Sequence, residues 1–96
     1  MSIQRNLFSR HSTAELRRRT WGRMFGRFIF HERSKTGRSF EECAQLAGMS
    51  ATRWEMIEAG QVIPQSESEL RAMAIGLDME WSGMVILSFF CRSAWD

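Results

Sequence analysis

The segment from residue 39 to residue 60, SFEECAQLAGMSATRWEMIEAG, constrains the fold most, because it predicts two short helices joined by a tight turn. Ser39 can accept a hydrogen bond at the start of the first helix, and Glu42, three residues later, completes the capping-box pattern. Ser50 predicts the start of the second helix in the same way. Gly48 lies between the helices and predicts the turn.

Four further residues in this segment predict how the two helices pack. Ala44 and Ala47 are small and allow a close approach, whereas Trp54 and Ile57 supply apolar bulk. Gly60 offers the positive φ angle that commonly ends a helix. This is the geometry of a helix-turn-helix, in which the second helix can enter a DNA major groove.

The combined spacing A-x-x-A-G-x-S-x-x-x-W-x-x-I-E-x-G-x-x-x-P, which runs from Ala44 to Pro64, resembles that of the lambda-repressor-like, Cro-type (XRE) helix-turn-helix family. The resemblance covers roughly residues 24–80. Matches outside the two central helices are Phe25, Gly26, Ile29, Arg33, Leu70, Met73, Ala74 and Leu77. The resemblance implies a compact all-α, five-helix domain, and it implies a partly buried ion pair between Arg33 and Glu58.

Apolar periodicity predicts the flanking helices. The first helix carries a stripe at helical spacing and is expected to end near Lys35. The residues of this stripe are Trp21, Met24, Phe25, Phe28 and Ile29. Ser66 and Glu69 form a second capping-box pattern, which predicts a fourth helix with Leu70, Met73, Ala74 and Leu77 on its inner face. Asp78 is expected to begin the last element.

The N-terminal segment is strongly basic. Residues 1–35 contain nine Arg and Lys against two acids, whereas residues 36–96 contain four against nine, within a net charge of +2. Residues 1–12 lack clear periodicity and predict an extended or frayed arm. Ser12 or Thr13 can cap a helix over residues 14–19, and Gly22 and Gly26 weaken its continuation.

The C-terminal segment, residues 80–95, is apolar nearly all round a helix and includes Trp81, Phe89, Phe90 and Trp95. Such a helix is usually buried on two sides. We expect a homodimer formed through residues 80–95, and the alternative is that the N-terminal segment folds over this helix. The expected organisation is a basic arm or short helix (1–20), a helix-turn-helix domain (21–79) and a dimerisation helix (80–96).

By the same resemblance, the start of the second central helix faces the groove. The residues concerned are Ser50, Ala51, Thr52, Arg53, Glu55 and Met56. Arg53 can reach a phosphate or a guanine edge, and Thr52 a phosphate or a thymine methyl group. Glu55 repels the phosphate backbone of DNA unless its carboxylate accepts a hydrogen bond from a cytosine amino group. Phe40 occupies a place where relatives often carry a phosphate-binding glutamine, so the expected groove surface is poor in donors.

Arg17, Arg18 and Arg19 form a run that can neutralise phosphates or enter a minor groove. The alternative is a solvated face, or pairing with acids of this chain or of a second copy.

Other classes of function have little support. His11, His31, Cys43 and Cys91 are scattered without zinc-ligand spacing, and both cysteines are expected to be buried thiols, as in a reducing cytosol. Neither histidine has an evident nucleophile partner, and the sequence has no glycine-rich phosphate loop. We therefore expect no enzyme activity, no cofactor and no metal. The N-terminal arginines are not followed by an apolar core, so we expect no signal peptide. The apolar run 84–91 is far shorter than the ~20 residues that cross a bilayer, so we expect no membrane association and a cytoplasmic location.

The sequence therefore predicts a sequence-specific regulator of transcription, most simply a repressor, that binds double-stranded DNA as a dimer. One alternative is a protein-interaction module on the same fold, such as an antitoxin, an anti-activator or a phage-type regulator, with little or no direct base readout. In that case Phe40, Met56 and the neighbouring acids would bind a protein partner. A second alternative is an architectural DNA binder that uses only the arginines.

Overall fold

The computed structural model describes the backbone of residues 2–84 and the side chains of residues 15–84. All regular structure in this part of the chain is helical, which confirms the all-α prediction. The helices are α1 (Ser2–Thr36), α2 (Phe40–Ala47), α3 (Ala51–Glu58) and α4 (Glu67–Gly76). Residues 81–84 belong to a fifth helical segment, α5.

The caps of α2 and α3 form as the sequence predicts. The Ser39 hydroxyl accepts from the Glu42 N–H at 3.1 Å, and the Glu42 carboxylate accepts in return from the Ser39 N–H at 3.2 Å. The Ser50 hydroxyl accepts from the N–H three residues later and starts α3. Gly48 has a φ angle of 70° and Gly60 one of 77°, values that favour glycine. These caps set where the two helices begin and end.

The core lies where α1, α3, α2 and α4 meet. Its fully or almost fully buried side chains are Phe25, Ile29, Cys43, Ala44, Trp54, Ile57, Leu70, Met73, Ala74, Leu77 and Met84. The predicted inner face of α4 and the predicted core role of Trp54 are thus confirmed. The prediction is wrong for Met24, which is 67% exposed, because it lies beside Phe25 on the solvent side of the stripe.

Helix α1 is continuous from residue 2, so the prediction of an extended or frayed arm over residues 1–12 is wrong. No helix starts at Ser12 or Thr13. Residues 2–15 contain neither proline nor glycine, so nothing in the sequence interrupts the helix there. The basic segment is therefore presented on a helix that crosses the boundary expected at residues 20 and 21.

Gly22 and Gly26 allow α1 to pack directly on the end of α3. A Cβ atom at Gly26 would lie 2.5 Å from the Glu58 carbonyl oxygen, and one at Gly22 would lie 3.0 Å from the Gly60 carbonyl oxygen. A distance of 2.5 Å between a Cβ atom and a carbonyl oxygen is too short for non-bonded atoms. The two glycines were expected to weaken the helix, but they are the positions at which α1 touches backbone.

We expect Gly26→Ala to lower the free energy of unfolding by up to about 2 kcal/mol. Overpacking costs about 1–3 kcal/mol, and the higher helix propensity of alanine offsets up to about 1 kcal/mol of it. Urea denaturation measures the change. Gly83→Ala is the matched control, since its Cβ atom would meet only the flexible end of Met79 at 3.2 Å. Equal stability of the two variants would contradict the close approach of α1 to α3.

Candidate nucleic-acid interface

The surface of α3 that a duplex can reach is small. Ser50, Thr52 and Glu55 are exposed, whereas Ala51 and Met56 are half-buried. The Ser50 hydroxyl already caps the helix, so Thr52 and Glu55 are the exposed residues with free polar groups at the predicted reading positions.

Phe40 does not stand free at the start of α2. It is half-buried and packs against the core, as does Ala51 at the start of α3. The apolar surface that the protein-interaction alternative assigned to Phe40 and Met56 is therefore smaller than the sequence suggested.

Arg53 is held in an ion pair with Glu69 at the start of α4. Its Nε atom lies 2.5 Å from Oε2 and its Nη2 atom lies 2.8 Å from Oε1, so the pair is bidentate. Nη2 also reaches the Ile63 carbonyl oxygen at 3.4 Å. The guanidinium is mostly occupied inside the protein, and a DNA contact from Arg53 remains a prediction that this geometry does not favour.

The Arg53–Glu69 pair shifts the ionisation of both partners. The hydrogen bond to Glu69 raises the pKa of Arg53 above its ordinary value. The hydrogen bonds from Arg53 and from the Gln65 N–H lower the pKa of Glu69, against the opposing effect of burial. Both groups are therefore held in their charged forms.

Glu69 does not complete the predicted capping box of α4. Its N–H donates to the Ser66 hydroxyl at 3.1 Å, which is the expected half of the motif. Its carboxylate, however, accepts from the Gln65 N–H at 2.8 Å and from Arg53. A capping-box pattern specifies the side chain at the third position but does not fix which neighbour it binds.

The ion pair between Arg33 and Glu58 is confirmed. Nε of Arg33 lies 2.6 Å from Oε2 of Glu58, and Nη2 lies 3.0 Å from Oε1. The Trp54 indole N–H donates to the same Oε2 atom, and Arg33 Nη1 donates to the Arg38 carbonyl oxygen at 3.0 Å. The hydrogen bond to Glu58 raises the pKa of Arg33. This cluster attaches α1 to α3 and has a structural role.

Positive charge free for an anionic partner lies on α1. Within the described side chains, Arg17, Arg18, Arg23 and Arg27 are exposed and have no ion pair, and Arg19 has only a 3.9 Å contact with exposed Glu15. By contrast, residues 39–60 contain four acids and the paired Arg53. Among the described residues, the electrostatic attraction for a polyanion therefore comes from α1.

A cleft joins the basic part of α1 to the loop after α3. It has a volume of about 300 Å³ and its lining residues are Arg18, Arg19, Gly60, Gln61, Val62, Ile63 and Gln65. None of these described lining residues is acidic. The sequence pointed to the arginines but gave no signal for the loop, because the contact depends on how α1 packs against α3.

The remaining chemistry of the described residues is limited. Cys43 is a free, fully buried thiol, as expected, and burial raises its pKa. Cys91 lies outside the described residues. Among residues with described side chains, no group of three His, Cys, Asp or Glu is arranged to hold a metal ion. No helix in the described part of the chain is long and apolar enough to cross a membrane.

Residues 24–80 match the model of a protein family described as a helix-turn-helix domain. This match covers more than half of the chain, so the protein belongs to that family, in agreement with the XRE-like resemblance. Membership supports DNA binding and regulation of transcription as the general class of function. No curated protein and no solved structure matches the chain.

Proposed function

We propose that the protein is a sequence-specific, DNA-binding regulator of transcription in which α3 reads bases and α1 supplies most of the affinity. The observation that carries this proposal is the division of charge. The unpaired arginines lie on α1, whereas α3 presents Thr52 and Glu55 without a free cation. Phosphate contacts position a protein on the duplex, and base contacts specify the sequence.

Base readout by α3 would be sparse. The Thr52 hydroxyl can bond to a base edge or a phosphate, and its methyl group can touch a thymine methyl. The Glu55 carboxylate can accept from a cytosine amino group, the typical base contact of a carboxylate, and this contact would offset the cost of its negative charge in the groove. We therefore expect a short motif with one strongly preferred cytosine in each half-site.

We propose a cytoplasmic homodimer that binds two half-sites about one helical turn apart, so that the target is a pseudo-palindrome. The apolar sequence of residues 80–95 supports dimerisation, although most of that segment lies outside the described residues. In the described part, Trp81 is partly buried against the core and Met84 is fully buried, so the start of α5 is fixed to the domain. Repression by occluding polymerase is the simplest consequence of such binding.

Selection from a random duplex library near physiological salt tests this function. We expect a two-fold-symmetric motif for the native chain. Glu55→Gln is expected to shift the preferred base at one position of each half-site, because an amide reads adenine rather than cytosine. Glu41→Gln, which removes an exposed charge from α2, is the control and should leave the motif unchanged. A native motif that Glu55→Gln also leaves unchanged would show that Glu55 does not read bases.

A protein-interaction module is the second candidate, and one observation favours it. The helix-turn-helix unit presents exposed Glu41, Glu42 and Glu55 while its arginine is paired, so its surface repels phosphates. The same selection separates the candidates. Failure of the native chain to bind any duplex at low salt would exclude the DNA-binding proposal and favour a basic protein partner.

A further inference from the structure

We propose that the cleft between Arg18, Arg19 and residues 60–65 binds a phosphate of the DNA backbone at the rim of the groove that α3 occupies. This inference rests on the proposed DNA-binding function and adds to it a defined anion site. The walls of the site are the N-terminal part of α1 and the loop after α3. Arg18 and Arg19 line the site, whereas the other described arginines of α1 do not.

The packing of α1 brings the two arginines to the loop. Helices α1 and α3 run in opposite directions where they touch, since Gly26 meets Glu58 and Gly22 meets Gly60. One turn further towards the N-terminus, α1 has passed the end of α3 and lies beside residues 60–65. Arg18 and Arg19 are at that turn and line the cleft.

The length of α3 places this cleft near phosphates. Helix α3 has eight residues, Ala51–Glu58, and at ~1.5 Å per residue it spans about 12 Å. The major groove is also about 12 Å wide. When the start of α3 lies in the groove, the residues that follow its end reach the groove edge, where the sugar–phosphate backbone runs.

The chemistry of the cleft suits a phosphate diester. Arg18 has no ion pair among the described side chains, and the exposed 3.9 Å contact of Arg19 with Glu15 is of a kind that contributes little. Guanidinium groups bind phosphate oxygens bidentately. Gln61 and Gln65 are exposed on the opposite wall and offer neutral amide donors. The described lining residues include no carboxylate, and the carboxylate of nearby Glu69 is paired with Arg53.

The test compares two double variants of the full chain. Arg18→Gln with Arg19→Gln removes both cleft arginines, whereas Lys35→Gln with Arg71→Gln removes two exposed cations that are paired with neighbouring acids and do not line the cleft. Affinity for the duplex recovered by selection is measured over a salt series, and circular dichroism verifies that both variants are helical.

We expect the cleft variant to bind at least about tenfold more weakly near physiological salt, a change of about 1.4 kcal/mol. Its log–log salt slope should be shallower by about 1–2, since each phosphate contact contributes about 0.9. Ethylation of individual phosphates should weaken binding of the native protein at one or two phosphates beside each half-site, and that sensitivity should disappear in the cleft variant. The control should lose less than about threefold and keep the interference pattern.

Two results overturn the inference, and they can be told apart. If the native chain binds its duplex but both double variants lose affinity equally and keep the same ethylation pattern, the cleft is not a phosphate site, while the proposed function stands. If the native chain binds no duplex even at low salt, the inference and the proposed function fail together.

Discussion

Glu58→Ala is expected to lower the free energy of unfolding by about 3 kcal/mol or more, a large part of the roughly 5–15 kcal/mol that stabilises a small domain. Glu58 accepts hydrogen bonds from both Nε and Nη2 of Arg33 and from the Trp54 indole N–H. The Arg33 and Glu58 side chains are only 16% and 11% exposed. Removal of the carboxylate therefore leaves a guanidinium and an indole donor without their partner in a nearly dry site.

The expected loss also follows from what the cluster connects. Arg33 on α1 donates to the Arg38 carbonyl oxygen, and Arg38 Nη1 donates at 3.0 Å to the Gly76 carbonyl oxygen at the end of α4. Glu58 on α3 thus belongs to a chain of contacts that reaches three helices and the turn before α2.

Denaturant unfolding of Glu58→Ala and Glu55→Ala gives a matched comparison on one helix. Glu55 is exposed, so its removal should change stability by no more than about 0.5 kcal/mol. Glu58→Gln keeps the shape and an acceptor but not the charge, and it should lie between the native chain and Glu58→Ala. A loss below about 1 kcal/mol for Glu58→Ala would contradict the structural role of the cluster.

Local signals in the sequence were sufficient for the helix-turn-helix itself. Ser39, Glu42, Ser50 and Gly48 act within a few residues of their own positions, and the geometry of such caps depends little on the rest of the fold. The inner face of α4 was also predictable, because the helical spacing of its apolar residues matches the residues that are buried.

Contacts between elements distant in sequence were less predictable. Gly22 and Gly26 are unfavourable in an isolated helix, and they are explained by their contacts with the backbone at the end of α3 and just after it. The sequence pointed to Arg53 as a DNA-binding residue. Its pairing with Glu69, sixteen positions later, could not be predicted, because it depends on where the fold places the start of α4. The family resemblance identified the Arg33–Glu58 pair but carried no information on the Arg53–Glu69 pair.

Arg53→Ala and Glu69→Ala are expected to destabilise the fold by about 2 kcal/mol each, because hydrogen bonds to charged groups contribute about 1.5–3 kcal/mol. The pair is bidentate, with side chains 29% and 17% exposed. The double variant should lose less than the sum of the single losses, since either change alone already breaks the pair. Additive losses in denaturant unfolding would show that the pair contributes nothing.

The contribution of the pair should depend on pH. The pKa of Glu69 is lowered in the folded state, chiefly by Arg53, relative to an unfolded value of about 4.3. The stabilisation is therefore fully present above about pH 4.3 and is lost as the pH falls through the lower, folded-state pKa. The difference in unfolding free energy between the native chain and Arg53→Ala should shrink in that acidic range. It should stay constant from about pH 5 to about pH 8.

Arg53→Ala also separates stability from base readout. If Arg53 reads a base, the variant should lose sequence preference even at a temperature where it is fully folded. The pairing with Glu69 predicts the opposite result: the folded variant keeps the selected motif, and its weaker binding near the unfolding transition follows the fraction of folded protein. Retained specificity at low temperature, together with reduced stability, would assign Arg53 to the fold and leave base recognition to Thr52 and Glu55.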